Sequence, residues 1–184
     1  MTYVIRRMTP GEWRKLRAIR LEAVRDTPTA FSCSYTDLAS RTEIFWQEQA
    51  AVEATSDQGA TFVACGENDD WVGSASVEPL AEVPDHAHIH AVYLRAEHRG
   101  PTGLGAHLVE AAIRFAEQHI DVSRLTLGVH ESNVRALNFY HRIGFQMTNK
   151  VIPYRPNSIA LCRIMEYTNF RRRKSSSNPA HQDA

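Results

Sequence analysis

The chain has 184 residues, 43% of them hydrophobic, with 21 Lys and Arg balanced by 21 Asp and Glu. One sizeable core fits this length and two ordinary domains do not, while a net charge of zero removes any global electrostatic argument for nucleic acid. No apolar run approaches the roughly 20 residues that span a bilayer, and residues 1–8, carrying Arg6 and Arg7, read as a strand rather than a signal peptide, so a cytoplasmic protein is expected.

After a strand over residues 3–8, Thr9-Pro10-Gly11-Glu12 is a helix start with proline at the first helical position and Glu three residues after Thr. The helix runs to about Asp26 on the apolar positions Trp13, Leu16, Ile19 (or Arg20), Ala23 and Val24, and Pro28 stops it. Residues 29–38 read as a loop and residues 41–53, around Phe45 and Trp46, as a second helix. Residues 60–66 and 71–78 are strands joined by the turn Glu67-Asn68-Asp69-Asp70. Cys33, Cys65 and Cys162 are odd in number and lack metal-ligand spacing, which points to reduced, buried thiols.

Residues 86–94 form the next strand, ending in Ala91-Val92-Tyr93-Leu94. Then comes Arg99-Gly100-Pro101-Thr102-Gly103-Leu104-Gly105, followed by a helix with Leu104, Leu108, Ala112, Phe115 and Ala116 on one face. Strand, glycine-rich loop, helix is a phosphate-binding arrangement: glycine lets backbone approach the ligand, and the first N–H groups of the helix lack internal partners. Gly105 is followed by Ala106 and His107, not by the Lys-Ser or Lys-Thr of a nucleotide P-loop, and Gly100, Gly103 and Gly105 fall at first, fourth and sixth positions, not the dinucleotide first, third and sixth. A second segment, Leu125 through Gly144-Phe145, reads as a strand with alternating Leu125, Leu127 and Val129, an N-cap at Ser132, and a short helix ending at Gly144. Asn133, Ala136 and Tyr140 lie on one face of that helix.

Together, Gly103-Leu104-Gly105 and Asn133-x-x-Ala136 with Phe139-Tyr140 and Gly144-Phe145 resemble the two cofactor segments of the GNAT superfamily of N-acetyltransferases. The Gln/Arg position of the loop signature falls on Gly100, Arg99 stands one residue earlier, and Pro101, which has no N–H, leaves the Thr102 hydroxyl to replace a donor. The resemblance implies an α/β fold with a mixed, mostly antiparallel sheet flanked by helices and two central strands splayed around acyl-CoA. It further implies a domain over residues 1–169, followed by a basic, polar tail over 170–184 that the composition marks as disordered. It implies acetyl-CoA as cosubstrate and no metal. Cofactor contacts fall on Val92, Tyr93, Leu94, Arg99, Gly100, Thr102, Gly103, Leu104, Gly105, Ala106, Asn133, Ala136 and Tyr140. Backbone groups of Val92, Tyr93 and Leu94 pair with pantetheine and donate to the thioester oxygen, and the Tyr140 hydroxyl serves as general acid for the leaving thiolate.

Where members of the superfamily often carry a Glu, this chain has His86-Ala87-His88-Ile89-His90, so the base is sought among His88, Glu78, Glu82 and His90. The three alternating histidines share one strand face and converge poorly on a metal. The implied activity is acetyl transfer to a primary amine of a small molecule, protein or peptide by a monomer or homodimer without nucleic-acid or membrane partner. The alternative is a non-catalytic acyl-CoA-binding module. A final strand is expected over residues 158–167, closing the sheet.

Overall fold

The computed structural model describes residues 2–100, 102–154 and 158–171, and within these a seven-stranded mixed sheet carries helices on both faces. Strand β1 (Val4–Arg7) leads into a single 3-10 turn at Pro10–Glu12, held by hydrogen bonds from Thr9 N and Oγ1 to Glu12 Oε2 at 2.8 and 3.0 Å. Helix α1 (Trp13–Asp26) follows and buries Leu16, Ile19, Ala23 and Val24, the period expected of an amphipathic helix. The segment expected to be a loop instead contains a short helix, α2 (Tyr35–Ala39), started by Ser34, whose Oγ accepts from Asp37 N. Helix α3 (Glu43–Thr55) is started in the same way by Thr42.

Strands β2 (Ala60–Cys65), β3 (Trp71–Pro79) and β4 (His86–Leu94) form an antiparallel meander. Helix α4 (Leu104–His119), strand β5 (Arg124–His130), helix α5 (Val134–Arg142) and the hairpin β6 (Phe145–Pro153) and β7 (Leu161–Tyr167) complete the order. The sheet runs β1-β2-β3-β4-β5-β7-β6, antiparallel except for the β4–β5 pair. The final strand therefore begins at Leu161 rather than at residue 158, and it inserts between β5 and β6 rather than closing the edge, which β6 forms.

Cores form on both faces of the sheet. Ala87, Ile89, Leu125, Leu127 and Val129 pack against Val109, Ala112 and Phe115 of α4, and Tyr140 and Phe145 complete that side. On the other side Leu16 and Ile19 of α1 and Trp46 and Ala50 of α3 pack over Val63, Trp71 and Tyr93. Phe170 packs against the first core and Arg171 N donates to Glu117 Oε1 at 3.2 Å, so packed chain continues past residue 169. The rest of the tail, residues 172–184, and Pro101 lie outside the described residues. None of the three cysteines forms a disulfide, and only Cys65 is fully buried. Among the described residues no helix is long and apolar enough to cross a membrane.

Candidate active site

The site begins with an irregularity in β4. Opposite Ser74 and Ser76 of β3 stand Tyr93 and His90, so β4 carries one more residue than its partner over this interval, and Ala91 takes up the excess with φ +49°. The bulge reverses which face each side chain points to. Ala87 and Ile89 pack toward α4, whereas Tyr93, an even number of residues further on, packs under α1 and α3, and Val92 and Leu94 take the α4 side. The parallel β4–β5 pairing also ends here. It spans His86↔Arg124 to Ile89↔Leu127 and goes no further, so the β4 edge from His90 onward has no β5 partner and a gap opens between Ala91-Val92-Tyr93-Leu94 and Gly128-Val129-His130.

At the far end of that edge sits the N-terminus of α4. Gly103 is its N-cap in the left-handed region, φ 72° and ψ 5°, a conformation that costs a residue with a Cβ. No side chain caps this helix, and its first bond runs from His107 N to Gly103 O at 3.0 Å. The N–H groups of Leu104, Gly105 and Ala106 are thus left pointing outward at the positive end of the helix dipole. Leu104 is buried, Gly105 packs its α-carbon toward the Phe139 ring of α5, and Gly100 and Thr102 are exposed. Arg99 has another occupation: its Nε donates to Leu94 O and its Nη2 to Asp26 at 2.7 Å, which ties the start of the loop to α1.

Helix α5 flanks the gap. Its N-cap is Asn133, one residue later than the expected Ser132: Asn133 Oδ1 accepts from Ala136 N at 3.1 Å, leaving its Nδ2 amide free among the described residues. Ala136 packs against the α4-side core, and the helix ends before Gly144 at φ +102°. Tyr140 is buried, edge-on to Phe139 and Phe145, and its hydroxyl makes no hydrogen bond among the described residues. Burial holds the phenol above its ordinary range, so it keeps its proton at neutral pH.

On the opposite face the gap opens into a cavity of about 420 Å³ walled by α1, α2, α3, the loop through Phe31 and Cys33, and the β6–β7 hairpin. His88, His90, Ala91, Gly128 and His130 form its sheet side, so the β4 bulge and the end of the β4–β5 ladder are shared by the cavity and the α4–α5 side. Burial, then the neighbouring His86, push the His88 imidazole down to about 4, and its Nδ1 lies 3.1 Å from Thr126 Oγ1. Burial and the Arg20 charge likewise hold His90 below its ordinary range. Glu78, expected near the acceptor, does not line the cavity; it is exposed and stands behind His90, 3.4 Å from its Nε2. Burial, then the charge of Glu53, raise its carboxyl. Glu82 is exposed in the turn and also lies outside the cavity wall.

Two cavity residues had no sequence signal beyond a charge on a helix. Arg20 of α1 and Glu53 of α3 form an ion pair at 3.3 Å at the wall, with side chains 12% and 10% exposed. Glu53 also accepts from Thr61 Oγ1 and, at 2.7 Å, from Gln49 Nε2, while Arg20 Nη2 donates to Ser76 Oγ at 2.8 Å. Burial opposes its ionisation, but Arg20 and these donors outweigh it and keep the Glu53 carboxyl below its ordinary value.

An uncapped helix N-terminus, an unpaired strand edge and a free amide on α5 together fit a long ligand with phosphate at one end and amide-like groups along its length. The chain matches the Acetyltransferase (GNAT) family over residues 19–145, more than half its length. It is 29% identical over 150 residues to the peptidyl-lysine N-acetyltransferase YjaB of Escherichia coli (strain K12), covering 82% of this chain and 86% of that protein. An acetyltransferase of the GNAT family from Streptococcus pneumoniae superposes with a TM-score of 0.73 at 21% identity, over 90% of this chain and 98% of that one. The structure of yncA from Salmonella typhimurium, solved with its cofactor acetyl-CoA, does so with a TM-score of 0.67 at 18% identity, over 98% and 99%. At these identities the structural likeness is one of fold, and the family match carries the assignment. The chain belongs to the GNAT family of acetyltransferases and is an acetyl-CoA-dependent acetyltransferase.

Proposed function

We propose that the protein transfers the acetyl group of acetyl-CoA to a primary amine that arrives through the cavity beneath α1 and α3. The observation that carries this reading is the early end of the β4–β5 ladder, which places the unpaired edge of β4 at the sheet side of the cavity. Bound acetyl-CoA supplies an acetyl thioester. The N–H groups of Leu104, Gly105 and Ala106, with Gly103 holding the turn and Gly100 and Thr102 beside it, hold the pyrophosphate. Asn133 Nδ2 donates to the pantetheine arm beside Ala136, and backbone groups of Val92, Tyr93 and Leu94 pair with that arm and donate to the acetyl oxygen. Arg99 acts from behind, holding the loop on Asp26.

The incoming amine, with an unperturbed pKa of about 10.4, must lose a proton before it attacks. His88 and His90 line the cavity and are held uncharged, so each has a free lone pair for that proton. Glu78, at His90 Nε2, is placed to pass it to solvent. As the N–C bond forms and the C–S bond breaks, the departing thiolate takes a proton from the Tyr140 hydroxyl, which burial keeps protonated. A cavity of about 420 Å³ falls in the lower part of the range of about 300–1,000 Å³ for small-molecule sites, which favours a small amine or a single side chain over a folded protein surface. The test is thiol release from acetyl-CoA across a panel of small amines and lysine peptides, with the acetylated product identified by mass. CoA binding without turnover on any amine would mean the cradle serves binding alone.

A further inference from the structure

We infer that the acceptor carries a carboxylate besides its amine, on an apolar body: an apolar α-amino acid or a close analogue, recognised by Arg20. The inference rests on the reading above that the cavity admits the amine.

Arg20 is a guanidinium with more donors than its surroundings use. Both Nη2–H bonds are taken, one by Glu53 Oε2 and one by Ser76 Oγ. The Nε–H and the two Nη1–H bonds have no hydrogen-bond partner among the described residues, although the side chain is only 12% exposed and lines the cavity. Nε and Nη1 are not sealed from solvent, so these donors open onto the cavity, where a ligand can reach them. Glu53 is in any case held by Thr61 and Gln49 as well. An always-charged guanidinium whose Nε–H and Nη1–H face a cavity can donate single hydrogen bonds to the oxygens of a carboxylate.

The charge balance agrees. Apart from the histidines, Arg20 and Glu53 are the charged residues of the wall, so the cavity offers one positive and one negative group 3.3 Å apart. An amino acid arrives with the complementary pair, its ammonium and its carboxylate separated by one carbon. A plain amine would bring only a positive charge and leave the Arg20 donors unanswered. Phe31, Phe45, Trp46 and Ile152 give the wall an apolar part that fits an apolar side chain.

The test compares matched acceptors on the full-length enzyme: phenylalanine and leucine, each with its amide and its decarboxylated amine. The acid should exceed both analogues in kcat/KM by about tenfold or more, the size expected for losing hydrogen bonds to a charged group. In Arg20→Met/Glu53→Gln, chosen so that no buried charge is left uncompensated, the preference should fall to about one while CoA still raises the melting temperature as in the wild type. Equal rates for acid and amide, or a preference that survives in the double variant, would overturn the inference. Thermal shift of the CoA-loaded protein by the same acid and amide reads the selectivity independently of turnover. Selective binding of the acid without turnover removes acetyl transfer as the function and leaves carboxylate recognition standing; equal binding removes the latter.

Discussion

Gly103 separates two ways a glycine can matter. It holds the N-cap of α4 at φ 72°, yet a Cβ built there meets nothing closer than His107 Cε1 at 3.6 Å, an ordinary contact. Gly103→Ala therefore costs backbone strain without collision, about 1–2 kcal/mol, which in a chain of this size lowers the melting temperature by about 2–8 °C. Gly100→Ala is the control: its Cβ enters open space and its φ is not positive, so the melting temperature should hold or rise slightly. Saturating CoA, at about 100 times its Kd, adds about 2.7 kcal/mol to the wild type, larger than the strain it is compared with. Gly103→Glu suffers the same strain, and it also sets a carboxylate against the phosphate at the N–H groups of Leu104, Gly105 and Ala106, so the CoA-induced shift should vanish. Scanning fluorimetry of the three variants, with and without CoA, reads all of this. The reasoning fails if Gly103→Glu keeps the wild-type shift, or if Gly103→Ala melts no lower than Gly100→Ala.

Tyr140→Phe removes one hydroxyl from a packed ring that makes no hydrogen bond among the described residues, so stability and the CoA shift should be preserved while turnover falls by about 10²–10⁴-fold; an unchanged kcat would return Tyr140 to a packing role. His88 and His90 bind protons less readily folded than unfolded, His88 at about 4 against an ordinary 6.5. The unfolded chain thus takes up protons first as pH falls, and stability, complete above about 6.5, should decline between pH 6.5 and 4. His88→Gln should flatten that decline in pH-dependent thermal melts, and an unaltered slope would show that the imidazole titrates as it does in water.

Local chemistry made much of the fold legible in the sequence. The spacing of Leu16, Ile19, Ala23 and Val24 marked α1, and the alternation of Leu125, Leu127 and Val129 marked β5, because each period matches the face it buries. Gly103 was legible because few residues other than glycine adopt a left-handed N-cap. Other features depended on residues far apart in the chain. The five-residue α2 is too short for a period and rests on a single Ser34 cap. The insertion of β7 between β5 and β6 is a pairing across the sheet, and no local pattern encodes it. Arg20 fell within the apolar repeat of α1, where a charge reads as an ambiguity; only its meeting with Glu53, 33 residues on, and with Ser76 gives it a place in the cavity wall. Glu78 stands beside His90 but outside the cavity wall, a placement that depends on the pairing of β3 with β4.

Hydrogen exchange of the free and CoA-loaded protein tests the location of the cofactor most directly. Slowed exchange is expected at the amides of Leu104, Gly105 and Ala106, where no internal acceptor now protects them, and along the unpaired β4 edge at Val92 and Leu94, whose N–H groups point away from β3. Protection that bypassed both segments, or that fell only on α1, α2 and α3, would contradict a cofactor held in the gap between β4 and β5.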